Sequence, residues 1–274
     1  MKLLSSRLLT GLCAFAAFVL FGLIAPELVA YSFILVVLFL AGLEWGVLSG
    51  LHSIYGRVVF SFVVCALSII VLGIVTPPYS DNLLLAADTM LGLWVAAFCW
   101  LALYQSSDAG IISNSAMLSI IGTVILVSMA VSVMTIRSSS LYFLFSLVLV
   151  VSCVDIFAFI GGRLFGRHKL MPNVSPGKTW EGLVFGMVGA ICIGNLLYLT
   201  NLELDLYMWN GIVGITALAA VVGDLFESMI KRFRRVKSSG AVLPGHGGIL
   251  DRLDSLSAAA PVYLWALLQA GYIR

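Results

Sequence analysis

In this chain of 274 residues, 61% are hydrophobic and only 10% are Asp, Glu, Lys or Arg, against about 25% charged residues in an ordinary soluble domain. With a mean hydropathy of +1.11, too little polar sequence remains to cover a water-facing surface. A water-soluble enzyme, a disordered tail and a nucleic-acid-binding domain are thereby excluded, and an all-α, polytopic integral membrane protein is expected.

Crossing ~30 Å of hydrocarbon takes roughly 20 apolar residues in a helix. In chain order the apolar runs predict about nine transmembrane helices, at residues 9–25, 28–43, 58–76, 83–103, 116–133, 141–161, 183–199, 209–222 and 256–270. The first has a weakly basic, signal-like flank, but the runs that follow favour an uncleaved first helix. The first two and the eighth are short, which calls for tilt, local thinning of the bilayer or a re-entrant pair. Cys13, Cys65, Cys99, Cys153 and Cys192 fall singly in apolar runs and read as small packing residues, not as a disulfide or thiolate framework. Trp100, Tyr104, Trp180, Tyr207 and Trp209 sit near predicted span ends, where amphipathic rings suit the headgroup layer.

The basic residues set the orientation. With the N-terminus cytoplasmic, nine spans put Lys2, Arg7, Arg57, Arg163, Arg167, Lys169, Lys178, Lys231, Arg232, Arg234, Arg235, Lys237 and Arg252 on the cytoplasmic side, against Arg137 and Arg274 opposite. The chain then reads as a single membrane domain, 1–274, with polar cytoplasmic segments at 162–182 and 223–255 forming the candidate active site. Of 28 charged residues, ten lie in 223–255 and six in 155–182.

Segment 223–255 holds Asp224, Glu227, Asp251 and Asp254 among six bases. On a helical extension of the eighth span, Asp224, Glu227, Ser228 and Lys231 share a face, and Asp251 and Asp254 do so on the next helix. Carboxylates on two helices joined by a glycine-containing loop suit a hard divalent cation such as magnesium. Neighbouring Lys and Arg would neutralise phosphate, and the glycines around His246 would expose backbone N–H groups to an anion. This describes a nucleoside triphosphate or other polyphosphate site. The competing reading of Arg234 and Arg235 is a topology anchor attracted to anionic lipid.

Upstream, Asp155 is a carboxylate within an apolar run, a functional candidate by default. Ser175-Pro176-Gly177-Lys178-Thr179 lacks the GxxxxGK[ST] spacing of a P-loop and is rejected as one. It proposes instead a turn and helix start, with Thr179 as cap and Glu181 at the positive end. Glu44 and Asp88 are isolated acids, either satisfied packing residues or pathway groups.

Ser228, Lys231, Arg232, Lys237, Gly240, Pro244, Gly245, His246, Gly247, Gly248, Asp251, Arg252 and Asp254 together resemble the CTP-transferase signature of the phosphatidate cytidylyltransferase (CDP-diacylglycerol synthase) family. Gly223-Asp224-Leu225 and Glu227-Ser228 resemble the family's entry to that site, and residues 155–182 its Asp-initiated glycine and basic segment. The resemblance implies a transfer from CTP to phosphatidate, giving CDP-diacylglycerol and pyrophosphate. It implies magnesium on Asp224 and Asp251 with help from Asp254, and crowded carboxylates leave room for a second cation. Lys178, Lys231, Arg232, Lys237 and Arg252 would clamp phosphate, His246 would contact it, and Gly247 and Gly248 would cradle the leaving group. Asp155, Ser175, Glu181, Glu227, Ser228 and Ser238 complete the candidates. A homodimer is implied by the resemblance alone. The compact form without targeting extensions reads as a bacterial inner-membrane protein, and the basic residues are too intermingled with acids for a nucleic-acid partner. One position departs from the pattern: the family's Asp after the lysine is here Ser238, which supplies no negative charge. A catalytically silent relative binding anionic lipid or a partner protein, and a transporter of an anionic metabolite using Glu44, Asp88 and Asp155, are the competing classes.

Overall fold

The structure is a computed structural model that describes residues 25–76, 81–104, 114–240 and 247–273. Among these the chain forms α1 (Glu27–Leu48), α2 (Ile54–Val75), α3 (Asp81–Leu103), α4 (Ser115–Ser139) and α5 (Leu141–Phe165). There follow β1 (Lys169–Met171), β2 (Ser175–Thr179), α6 (Trp180–Tyr198), α7 (Leu206–Phe233) and α8 (Leu250–Gln269). Helices α1 to α7 are the seven long and apolar enough to cross a membrane. The predicted span at 9–25 lies outside the described residues, apart from Ala25.

Local chemistry fixes several boundaries. Asn114 caps α4 by accepting from the N–H groups of Ala116 (2.9 Å) and Met117 (3.3 Å). Asp205 caps α7 by accepting from Met208 N–H at 2.7 Å. Thr179 caps α6 through Gly182 N–H at 3.1 Å, as its sequence context proposes. At the far end of α7, Arg235 adopts φ +57° and Val236 N–H returns to the Lys231 carbonyl at 3.0 Å, so the chain reverses direction there.

Three expectations are corrected. The fold is not purely helical, because β1 and β2 form an antiparallel hairpin pairing Lys169 with Thr179 and Met171 with Ser175. The eighth span, expected to be short, is the 28-residue α7. At ~1.5 Å per residue it is about 42 Å long and exceeds the ~30 Å hydrocarbon layer. Hydropathy fades at residue 222 while the helix continues through Asp224, Glu227 and Lys231, whose charges are paired. The ninth span belongs to a helix that starts six residues earlier, at Leu250, and takes in Asp251, Arg252 and Asp254. That helix, α8, is not among the seven apolar spans.

Helix α8 is the centre of the assembly and contacts α1, α3, α4, α5 and α7. Its Ala258, Ala259 and Ala260 are fully buried, allowing close backbone approach, and the buried Tyr263 shares a 2.6 Å hydrogen bond with Ser146 of α5. Around this core, α2 turns Val59, Phe62, Ile69, Ile70 and Ile74 outward, as a lipid-facing helix should. Asp88 accepts from the Trp265 indole N–H at 2.9 Å, tying α3 to α8.

Helices α5 and α6 meet through glycine. A Cβ on buried Gly189 would run into the Phe157 ring, whereas a Cβ on Gly211 of α7 would meet nothing within 4 Å. The same substitution should therefore act with opposite sign at the two positions. Gly189→Ala should lower stability by about 1–3 kcal/mol through overpacking. Gly211→Ala should leave it unchanged or raise it by up to ~1 kcal/mol through helix propensity. Unfolding temperatures in detergent micelles measure both.

Candidate active site

The two polar segments of the sequence meet at one place. From β2, the Lys178 ammonium reaches Asp224 of α7 at 2.6 Å, and Arg232 Nε donates to the Val174 carbonyl at 3.0 Å. One turn beyond Asp224, Ser228 donates to its Oδ1 at 3.3 Å. Asp155 of α5 lies within electrostatic reach of both Asp224 and Lys178, and accepts from Ser255 of α8 at 3.3 Å. Asp155 and Asp224, 69 positions apart in sequence, are thus brought together by contacts from β2, α5, α7 and α8.

Lys231 joins α7 to α8. It donates to Asp251 Oδ1 at 2.8 Å and stands 3.1 Å from Glu227 Oε1 on its own helix, with all three side chains largely buried. The Glu227 oxygen is neutralised by the ammonium while the directed hydrogen bond goes to Asp251. Breaking such a buried set leaves an uncompensated charge.

Asp251 is the most heavily supported of the acids. Besides Lys231, it accepts from the Ser238 hydroxyl at 2.7 Å, from Ser239 N–H at 3.2 and 3.3 Å, and from Gly248 N–H at 2.9 Å. The Ser238 proton has a second acceptor within reach, the Gly240 carbonyl at 2.8 Å. Burial by itself would raise the Asp251 carboxyl, but Lys231, Gly248 N–H and Ser238 outweigh it and hold it at about 2. Gly247 has φ +86°, and a Cβ there would lie 3.0 Å from Asp251 Oδ2, so the turn onto α8 needs glycine. Asp254, one turn on, is shifted the other way. Burial first, then the Asp224 and Glu227 carboxylates, push it well above the usual range. One acid of α8 is therefore held ionised and the other is held towards its protonated form.

These oxygens have the hard-donor chemistry that magnesium asks for. Among the described residues, no group of three or more His, Cys, Asp or Glu is spaced to hold a metal by itself. The donors suit a cation that takes one or two carboxylates and completes its shell with water and phosphate oxygens, rather than an all-protein cage.

Several candidates sit elsewhere. Glu181 accepts from the N–H groups of Arg167 and His168 and from the exposed His168 ring at 2.7 Å, pinning the hairpin and not joining the acids. Ser175 opens β2 opposite Met171. Lys237 and Arg252 are exposed beside the site, and His246 lies outside the described residues. Lys178 and Lys231, expected on phosphate, each hold a carboxylate. Gly248, expected under a leaving group, gives its N–H to Asp251 and has Ser239 and Glu44 where a Cβ would stand.

Two residues outside the expected site set also contribute. Buried Glu44 of α1 accepts from Ser239 Oγ (2.9 Å), Ile249 N–H (3.1 Å) and Leu250 N–H (2.9 Å), so it caps α8 from 205 positions away. Arg234 donates to the carbonyls of Leu48 (2.6 Å) and Ser49 (3.0 Å), closing the end of α1. The only sequence signal for Glu44 is that an acid in an apolar run needs partners.

Comparison with known proteins places this geometry. A phosphatidate cytidylyltransferase of Staphylococcus aureus (strain COL) is 38% identical over 135 residues, covering 49% of this chain and 52% of that protein, so about half the length of that relative is spanned. The same-named protein of Haemophilus influenzae is 42% identical over 128 residues, 45% of this chain and 44% of that one. The one from Pseudomonas aeruginosa is 32% identical over 244 residues, 88% of each chain. The pattern of the cytidylyltransferase family matches residues 5–270. With that match running through every element that carries the acid cluster, the chain belongs to the cytidylyltransferase family.

Proposed function

We propose that this protein transfers the cytidylyl group of CTP to phosphatidate, releasing pyrophosphate and leaving CDP-diacylglycerol in the bilayer. The observation that carries the reading is the pairing of Lys178 with Asp224 and of Lys231 with Asp251, with Glu227 in electrostatic reach of both acids, in a chain of this family. The relatives' names supply the substrate class. The skew of basic residues towards one side supports a bacterial inner-membrane protein with the site on the cytoplasmic face.

In this reaction a phosphatidate oxygen forms a bond to the α-phosphorus of CTP as the bond to the β-phosphate oxygen breaks. A phosphate monoester is already ionised near neutrality, so no strong side-chain base is required. The protein's task is to gather and neutralise charge. Asp224 and Asp251 would hold magnesium, which when bound supplies Lewis-acid stabilisation of the phosphates. An ammonium has three N–H donors, so Lys178 and Lys231 can keep their carboxylates and still donate to a phosphate oxygen. Exposed Lys237 and Arg252 stand where a nucleotide would approach. The diacyl tails need not leave the lipid, since the site lies beside the ends of apolar helices.

Purified protein in detergent with CTP, phosphatidate and magnesium should form CDP-diacylglycerol. Absence of product above a chelator control, from protein that elutes as a folded species, overturns the reading. Asp251→Asn should cut turnover by at least ~100-fold per folded molecule, as loss of a group acting in the transition state does, and should also lower the unfolding temperature, because Lys231 loses its charged partner on α8. Retained turnover would remove Asp251 from the metal-binding role.

Ser238→Asp gives a separate test. It sets a second carboxylate against Asp251 Oδ2, now 2.7 Å from the serine hydroxyl. Like charges at that distance disfavour each other unless a cation lies between them. The variant should unfold at a lower temperature than the parent in chelator and recover when magnesium is added. It should also need less magnesium for half-maximal turnover. Parallel melting curves and an unchanged magnesium titration would show that position 238 takes no part in metal binding.

A further inference from the structure

The α8 N-terminus offers three consecutive N–H groups, and two carboxylates divide them. Gly248 gives its N–H to Asp251, whereas Ile249 and Leu250 give theirs to Glu44. Ser239 is divided in the same way, with its N–H on Asp251 and its hydroxyl on Glu44. Glu44 therefore grips both flanks of the turn that surrounds Asp251, at 239 and at 249–250. The approach is close on each side: Gly240 and Gly248 both have the Glu44 carboxylate where a Cβ would stand. The arrangement suits an anion, because helix N-terminal amides carry partial positive charge and charge-assisted hydrogen bonds are the strong ones. At 4% exposure, Glu44 has no access to solvent as an alternative partner.

We propose that Glu44 is a positioning residue for the reaction. From α1 it fixes the 239–240 turn and the first turn of α8, and so sets where the Asp251 carboxylate points. The role rests on the cytidylyl-transfer reading, in which Asp251 is a metal ligand. The donors to Glu44 are the Ser239 hydroxyl and the Ile249 and Leu250 amides, so its action on the reaction would run through the turn and Asp251. A glutamine in its place has one acceptor oxygen instead of two and presents an NH2 group to a helix N–H, so the grip fails on one flank without any change of volume.

Glu44→Gln should lower kcat by about 10–100-fold, the range seen when outer partners of a metal ligand are lost, with KM for CTP changed less than ~2-fold. A merely structural role predicts a lower unfolding temperature with wild-type kcat per folded molecule, and that result overturns the proposal. The second readout is amide-resolved hydrogen exchange on the whole protein in detergent without substrate. Loss of a local cap frees Ile249 and Leu250 only. Loss of positioning also accelerates Gly248, whose bond is to Asp251 and not to Glu44. If wild-type protein shows no turnover, the reaction assignment fails, and the exchange at Gly248 still decides the positioning role. Acceleration supports it and an unchanged Gly248 overturns it. Should Glu44→Gln not fold, Ser239→Ala removes one of the three donors. It should show the same split in kcat and the same acceleration at Gly248, and wild-type values for both overturn the proposal.

Discussion

Taking Glu227 and Lys231 out of water costs on the order of several kcal/mol per ion, and α7 carries both into the core one turn apart. The cost is offset only because α8 supplies Asp251 to the same ammonium, 2.8 Å away. That ion pair requires α7 to continue as a helix past its apolar stretch and α8 to begin where it does. Left-handed Arg235 lies just past the end of α7, and the positive-φ Gly247 lies just before α8. The acids of α8 thus have a structural duty before they have a chemical one. Lysines neutralise two of these carboxylates, Lys178 on Asp224 and Lys231 on Asp251.

Helix α1 closes the arrangement from outside. Its last turn gives carbonyls to Arg234, just past α7, and its Glu44 takes amides from the start of α8. A helix C-terminus is satisfied by a cation and a helix N-terminus by an anion, so both macrodipole ends are compensated across elements and not within them. These contacts fix the spacing between the end of α7 and the start of α8. That spacing decides whether the carboxylates of the two helices can share a ligand.

Much of this was legible in the sequence, and what was not has physical reasons. The spans beginning near residues 28, 58, 83, 116, 141 and 183 correspond to α1 to α6, because burial in lipid demands long apolar runs. The sharing of a helical face by Asp224, Glu227, Ser228 and Lys231 follows from 3.6-residue periodicity and needs no tertiary information. Hydropathy alone placed the end of the eighth span and the start of the ninth short of those of α7 and α8, because it marks where a helix leaves the lipid and not where its hydrogen bonding ends. The polar extensions were legible only from the spacing of their charged residues. The hairpin was hidden because Ser175 to Thr179 contains Pro and Gly and lacks strand alternation. Glu44 was seen only as an acid needing a partner, since its donors stand about 200 positions away. Gly248 carries a packing constraint that its motif does not reveal, since Glu44 and Ser239 fill the space where a Cβ would stand.

The departure at position 238 acquires a physical meaning from the same network. A serine there donates to Asp251 Oδ2, so it helps to hold that carboxylate ionised whether or not a cation is near. An aspartate at that point only accepts, and facing Asp251 it would add charge that a cation must neutralise. The two residues place the site on opposite sides of a trade. Serine favours a self-sufficient metal-free state and leaves one anionic ligand fewer for magnesium. Aspartate makes the loop depend on the ion. With Lys231, Gly248 N–H and Ser239 N–H already on Asp251, the serine completes a shell of donors. On the proposed reading, in which Asp251 would hold magnesium, the ion would compete with these donors, and the Ser238 hydroxyl is the one with an alternative acceptor at hand, the Gly240 carbonyl 2.8 Å away.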